Sequence, residues 1–294
     1  MHDGATIAGS VLEPELDAAG AALDGHRVDA RHVERDAHAT IVLVDDHRRG
    51  ATVFSGVHMA ADDLVDLERA FAEAEGTEDV SVHLAFKERL VASHDAEALA
   101  RHFDFVRRAR NDALRQILAK FFAWHGTTAV PFLEQVLENE ADPVARATAL
   151  QMLGAIGGRH SEAKPAAEAA ARAHLHAPDE IVRERALMVL GWVGGAKHVA
   201  VLSKILTSDE ASSVRAMAAT QLFFLADGSK SRTERVLSIL ADVLMREADD
   251  RVRDAVVDTA ESLTKKRFGA KTDRAARAER ARRALAAYAK RASK

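Results

Sequence analysis

One short pattern recurs along the middle of this chain, and it leaves few folds open. The stretch Asp142-Pro143-Val144-Ala145-Arg146-Ala147-Thr148-Ala149-Leu150-Gln151-Met152-Leu153-Gly154-Ala155-Ile156-Gly157 has a counterpart that starts at Asp179. Both place Arg four residues after the Asp (Arg146, Arg183), Ala seven after, Leu eleven after, and Gly twelve and fifteen after. Looser copies start at Asn111, Ala211 and Asp249 and carry Arg115, Arg215 and Arg253 at the same offset. The five arginines are 31, 37, 32 and 38 residues apart, so a tandem structural unit repeats here.

Each copy reads as one helix. Apolar residues fall three, seven, eleven and fourteen positions after the start, as in Val182, Ala186, Leu190 and Val193, which is a single stripe of period 3.6. The leading Asp suits an N-cap, and Pro143 suits the first helical position, where its missing N–H costs nothing. Gly157, Gly158, Gly194 and Gly195 are expected to stop the helices with left-handed residues. A second amphipathic stretch precedes each copy, at 129–138, 163–177, 199–207 and 232–246. A two-helix unit of this size cannot bury its stripe alone, so the units are expected to stack.

The motif Asp-Pro-x-x-Arg-x-x-Ala-x-x-x-Leu-Gly-x-x-Gly resembles the second helix of a HEAT repeat, in the short form first named from the phycobilin lyases (the E-Z type). The resemblance covers residues 96–264 and implies a right-handed α-solenoid of about five helix pairs. It also implies a structural ladder between successive repeats, here Arg115, Asp142, Arg146, Asp179, Arg183, Arg215, Asp249 and Arg253. The fourth copy has Ala211 in place of Asp and the fifth lacks both glycines, so these two are expected to be less regular.

The ends differ from the repeat in charge and pattern. Residues 1–100 hold 8 Lys/Arg against 21 Asp/Glu, residues 101–263 hold 21 against 22, and residues 264–294 hold 12 against 2. Residues 1–95 are expected to form a small acidic α+β region. It would have helices at Leu12–Leu23 and Ala61–Glu75, strands at Thr40–Val44 and Ala51–Phe54, and a strand over Val80–Phe86, where apolar residues alternate with period two. Two degenerate helical repeats with a hairpin insertion are the alternative. Residues 265–294 are expected to form a basic helix that caps the solenoid. A sharper reading makes its cations from Arg274 to Arg291 an anion-binding surface for nucleic acid, acidic lipid or acidic protein, although one aromatic residue among them gives little support for base stacking.

Chemistry is sparse. The chain has no Cys, which excludes disulfides, thiolate metal sites and Cys nucleophiles. Its 14 histidines are dispersed, and no HExxH motif occurs. No His-Glu dipeptide occurs either, whereas di-iron hydroxylases built from similar short repeats bind metal through such pairs. There is no GxxxxGK[ST], no GxGxxG after a predicted strand and no GxSxG. A DNA glycosylase built as a similar helical solenoid uses a basic groove, and the neutral repeat body here limits that likeness to the fold. No metal or cofactor is expected. No apolar run is long enough for a membrane span, and no basic segment followed by an apolar one opens the chain, so a cytoplasmic protein is expected.

That leaves the surface. At 100° per residue, the positions five, nine, twelve and sixteen after each start point away from the core stripe. In the first and second copies these include Gln116, Lys120, Ala123, Ala147, Gln151 and Gly154. In the third and fourth they include Glu184, Met188, Gly191, Ala216, Thr220 and Phe223, and in the fifth Asp254, Asp258 and Glu261. The groove they form is mixed-polar and becomes acidic at its C-terminal end, and exposed Met188 and Phe223 would be unusual on an idle surface. Trp124, Trp192 and Phe224, one position further on, fall on the flank where neighbouring second helices are expected to touch. An exposed Trp there would instead mark an interface anchor. The leading function is a non-catalytic scaffold or adaptor that holds another protein or peptide in the groove. Inhibitors, including immunity-type proteins, belong to this class. The alternatives are a lyase-like enzyme that handles a chromophore at Trp192, as the family resemblance implies, and nucleic-acid binding through the basic C-terminal helix.

Overall fold

Alanine-rich, proline-poor segments with capped starts make helices, and the computed structural model, which describes residues 61–226 and 228–292, is helical throughout its ordered elements. No strand occurs among the described residues. The expected helix at Leu12–Leu23 and strands at Thr40–Val44 and Ala51–Phe54 lie outside them. The chain forms two units, Met1–Leu118 and Ala119–Lys294.

In the first unit, α1 (Ala61–Glu75), α2 (Val80–Leu90) and α3 (Ala96–Arg108) precede α4 (Asp112–Phe121), which runs on into the second. The strand expected over Val80–Phe86 is helix α2. Its start is capped by Asp79, whose carboxylate accepts from the Ser81 N–H at 2.8 Å. The buried positions are His83, Phe86, Lys87 and Leu90, a helical spacing, while Val80 and Leu84 of the apparent alternation are exposed. Phe86 is fixed by Phe71 and Phe105, with ring centroids 5.7 and 5.2 Å away. Arg108 lies over two of these rings and forks onto Glu68 at 2.7 and 2.8 Å. Those bonds hold the guanidinium more firmly protonated than usual.

The second unit is the stack. A 3-10 segment (Phe122–Ala129) leads into α5 (Val130–Asn139) and α6 (Pro143–Arg159). Then come α7 (Lys164–Ala173) with α8 (Glu180–Val189), α9 (Val199–Ser208) with α10 (Ser212–Ala226), and α11 (Lys230–Arg246) with α12 (Asp250–Thr264). The second helices α6, α8, α10 and α12 lie side by side, and each also packs on the first helix of its own pair. Their stripes fill the core: Leu150, Leu153, Ile156, Val182, Ala186, Leu190, Val214, Leu222, Val256 and Ala260 have no exposure to solvent. Finally α13 (Arg274–Ala292) closes the end against α11 and α12, burying Ala281 and Leu285.

The glycines act differently from the expectation. Gly157 and Gly158 do not stop a helix, because α6 runs through them to Arg159. Gly154 is needed for close approach: a Cβ there would sit 2.8 Å from Val189 Cγ2 and 3.1 Å from Trp192 Cε3. Gly194 lies in a π-helical turn that extends α8, and only Gly195 takes the left-handed conformation, with φ of 70°.

Candidate binding face

Three arginines of the repeat bridge neighbouring units. Arg146 donates to Asp179 at 2.9 Å, and Arg183 forks onto Asp209, both bonds at 3.0 Å. Arg215 forks onto Glu247 at 3.0 and 3.2 Å. Arg183 and Arg215 use their remaining nitrogen on their own loops. Arg183 donates to the Ala177 and Pro178 carbonyls, and Arg215 to those of Asp209 and Glu210. Each thus ties its own helix–helix turn to the next repeat. Asp209 makes good the missing Asp of the fourth copy, because it also accepts from the Ala211 N–H at 3.0 Å. Asp142 and Asp249 cap α6 and α12 through two backbone N–H groups each. Asp179 makes no such side-chain cap and instead receives Arg146. The outer copies differ, since Arg115 pairs with Asp112 and Arg253 with Asp250, each one turn away on the same helix.

The electrostatics follow. Asp209's hydrogen bonds hold Arg183 more firmly protonated than usual, against the opposing effect of burial. Burial alone would raise the Glu247 carboxyl, but Arg215 and the Asp249 and Ala248 N–H groups together outweigh it, and the group sits below the ordinary carboxylate range.

The surface left open by this packing is rotated from the expected one. Of the residues expected to face outward, Ala147, Gly154, Met188, Gly191 and Ala216 are buried, Met188 at 5% exposure. The reason is that small residues at these positions, Ala147 and Gly154 of the second copy, Gly191 of the third and Ala216 of the fourth, let the second helices approach closely. A Cβ on Gly191 would lie 2.1 Å from Gln221 Oε1 on α10, and Gly154 sits against α8. Solvent instead reaches a strip nearer positions six, nine and thirteen. Thr148, Gln151, Ala155, Arg185, Trp192 and Thr220 are half-buried there, Glu184 borders the strip, and Phe224 is exposed. Phe223 is half-buried beside it, with the two rings edge to face at 5.4 Å. Trp192 packs over Gly154, as expected of the flank. Trp124 does not: it is 44% exposed, with Phe121 at 5.0 Å and the Arg159 guanidinium 5.2 Å from its ring. Lys120, one turn earlier on α4, is exposed; Gln116 is exposed too, but belongs to the first unit.

The acidic end expected at the fifth copy is not an open surface. Arg277, buried on α13, donates to Asp258 and forks onto Glu261 at 2.7 and 3.1 Å, while Arg274 reaches Asp254 at 3.1 Å. Glu261 is itself buried and also accepts from the Phe268 N–H at 2.6 Å. Burial opposes its charge, yet Arg277 and that N–H hold its carboxyl below the usual range. Glu261 therefore belongs to the cap. Sequence periodicity could not reveal this, because it describes one helix and not what lies on it.

No group of His, Asp and Glu with metal-holding geometry occurs among the described residues. No described helix is long and apolar enough to cross a membrane.

Residues 168–261, from α7 into α12, match the family model for HEAT repeats, and these helix pairs are HEAT repeats. No curated protein matches the chain. Among solved structures, the complex of CpcE and CpcF of phycocyanin lyase from Nostoc sp. PCC7120 is similar at 17% identity, covering 82% of this chain and 99% of that chain with a TM-score of 0.30.

Proposed function

We propose that this chain is a non-catalytic scaffold that holds another polypeptide on the open strip of its second helices. The observation that carries the reading is the aromatic row thirteen positions after the repeat starts. Trp124 and Phe224 keep 44% and 39% of their surface open on a stack whose other large apolar side chains are mostly buried. Exposed aromatic groups bordered by polar side chains are the usual anchors of protein interfaces. Here Gln151, Glu184 and Thr220 supply the polar border. The stacked repeats hold these groups on a rigid frame, which lowers the ordering cost of binding. Asp254 and Asp258 border the strip but are engaged by α13, so they contribute less than the aromatic row. Cytoplasmic placement belongs to the same reading and is supported by the absence of cysteine.

The test is the double variant W124A/F224A, purified beside the native chain from its own cells. The native chain is expected to bring down a polypeptide that the variant loses, with helical content and thermal midpoint retained. Equal recovery of that polypeptide by both proteins contradicts the reading.

A further inference from the structure

Once the paired charges are set aside, the end of the open strip around Trp124 carries positive charge, and Glu184 borders the strip further along. At its C-terminal end Asp254, Asp258 and Glu261 are answered by Arg274, Lys271 and Arg277. At its other end Arg159 stacks on Trp124 and exposed Lys120 lies four residues before it in the chain, and among the described residues neither cation has a carboxylate partner. The nearest acid in sequence, Glu162, lies toward His160 at 3.9 Å. Stacking on Trp124 holds the Arg159 guanidinium in place and leaves its N–H edge available for a bidentate acceptor. His160 fixes the backbone beneath, its ring nitrogen 3.3 Å from the Ala123 carbonyl. The patch thus offers an apolar ring beside a forked donor, with a point charge one turn earlier in the chain.

We infer that Lys120, Trp124 and Arg159 form a docking site for an acidic segment of the partner polypeptide, one in which an apolar side chain lies between carboxylates. The inference rests on the scaffold reading above and adds the partner's chemistry. Nucleic acid fits less well. Its binding draws on many phosphate contacts, whereas this patch supplies two cations on a repeat body with 21 basic and 22 acidic residues over 101–263.

The test uses the full chain and four labelled probes: a twelve-residue peptide alternating Glu and Leu, its Lys–Leu counterpart, a Glu–Ser control, and a twenty-nucleotide oligothymidine. The Glu–Leu peptide is expected to bind most tightly, and W124A to weaken it about tenfold or more. K120E/R159E should weaken it as much and shift preference to the Lys–Leu peptide, while thermal midpoints stay within a few degrees. Preference of the native chain for the Lys–Leu peptide or the oligothymidine overturns the inference, as does a Glu–Leu affinity that neither variant changes or no binding of any probe. If acidic probes are refused while W124A/F224A still loses the native partner, the scaffold reading stands and only the partner chemistry assigned here is wrong.

Discussion

Arg183 shows what a repeat residue does when every nitrogen is used. It is 6% exposed, forks onto Asp209, and donates to two carbonyls of its own loop. Removing it leaves two carbonyls without this donor and the half-buried Asp209 carboxylate with only the Ala211 N–H, so Arg183→Ala is expected to cost about 3 kcal/mol in urea unfolding. Arg253 occupies the same sequence position but pairs with Asp250 in solvent, and Arg253→Ala should cost less than about 0.5 kcal/mol. Equal costs for the two would mean that the bridging is not what matters. The arginines were legible as a class because their offset from the helix start is constant. Their acceptors were not: in the fourth and fifth copies the carboxylate lies two residues before the repeat start, at Asp209 and Glu247, where the motif has no fixed residue.

Carboxylates held below their usual range also set an acid limit. Glu247 and Glu261 bind protons more weakly folded than unfolded, so the unfolded chain takes up protons first as pH falls. Their contribution is present above the ordinary value near 4.5 and is lost as pH drops through the lower folded value. E247Q is therefore expected to be less stable than the native chain at neutral pH and to lose less stability than it between about pH 5 and pH 3. Parallel curves of urea midpoint against pH would contradict this.

At the scale of the element, the positions of the second helices were legible in the sequence and their orientation was not. Their starts, stripes and caps follow from residues within seven or eight positions of one another. Which side stays wet depends on the neighbouring helix, and the sign of that contact was the small residues Ala147, Gly154, Gly191 and Ala216, whose spacing suggests helix stops or groove floor. Two glycines of α6 separate the explanations. Gly154→Ala forces a methyl against Val189 and Trp192 and should cost about 1–3 kcal/mol. Gly158→Ala meets nothing within 4 Å and, being helical, should be neutral or stabilising by up to about 1 kcal/mol. Thermal unfolding of the two variants decides it, and a Gly154→Ala protein as stable as the native one would contradict the close approach. Helix α2 teaches the converse: Val80, Val82, Leu84 and Phe86 alternate like a strand, but the Asp79 cap and the spacing of His83, Lys87 and Leu90 favour helix.

At the scale of the molecule, the charge gradient along the chain reappears as contacts. The basic C-terminal segment spends Arg274 and Arg277 on the acids of α12, so two surfaces that look separate in the sequence are mostly a single cap closing the stack. Arg277→Ala should leave Glu261 buried without its partner and detach α13, with about 3 kcal/mol lost and early hydrogen exchange confined to residues 274–288. Exchange in α13 unchanged from the native chain would contradict that role. The open strip gains importance from the same subtraction, because it is the portion of the second-helix surface that no other described element covers.

Site-specific photo-cross-linking in living cells tests that strip most directly. A photoreactive residue would be placed at Gln151, on the strip, and in a second variant at Arg172, exposed on a first helix. The expected result is a single polypeptide adduct from position 151, absent from position 172 and abolished when W124A/F224A is added. Adducts of equal yield from both positions, or an adduct at 151 that survives the double substitution, would contradict a binding role for the strip.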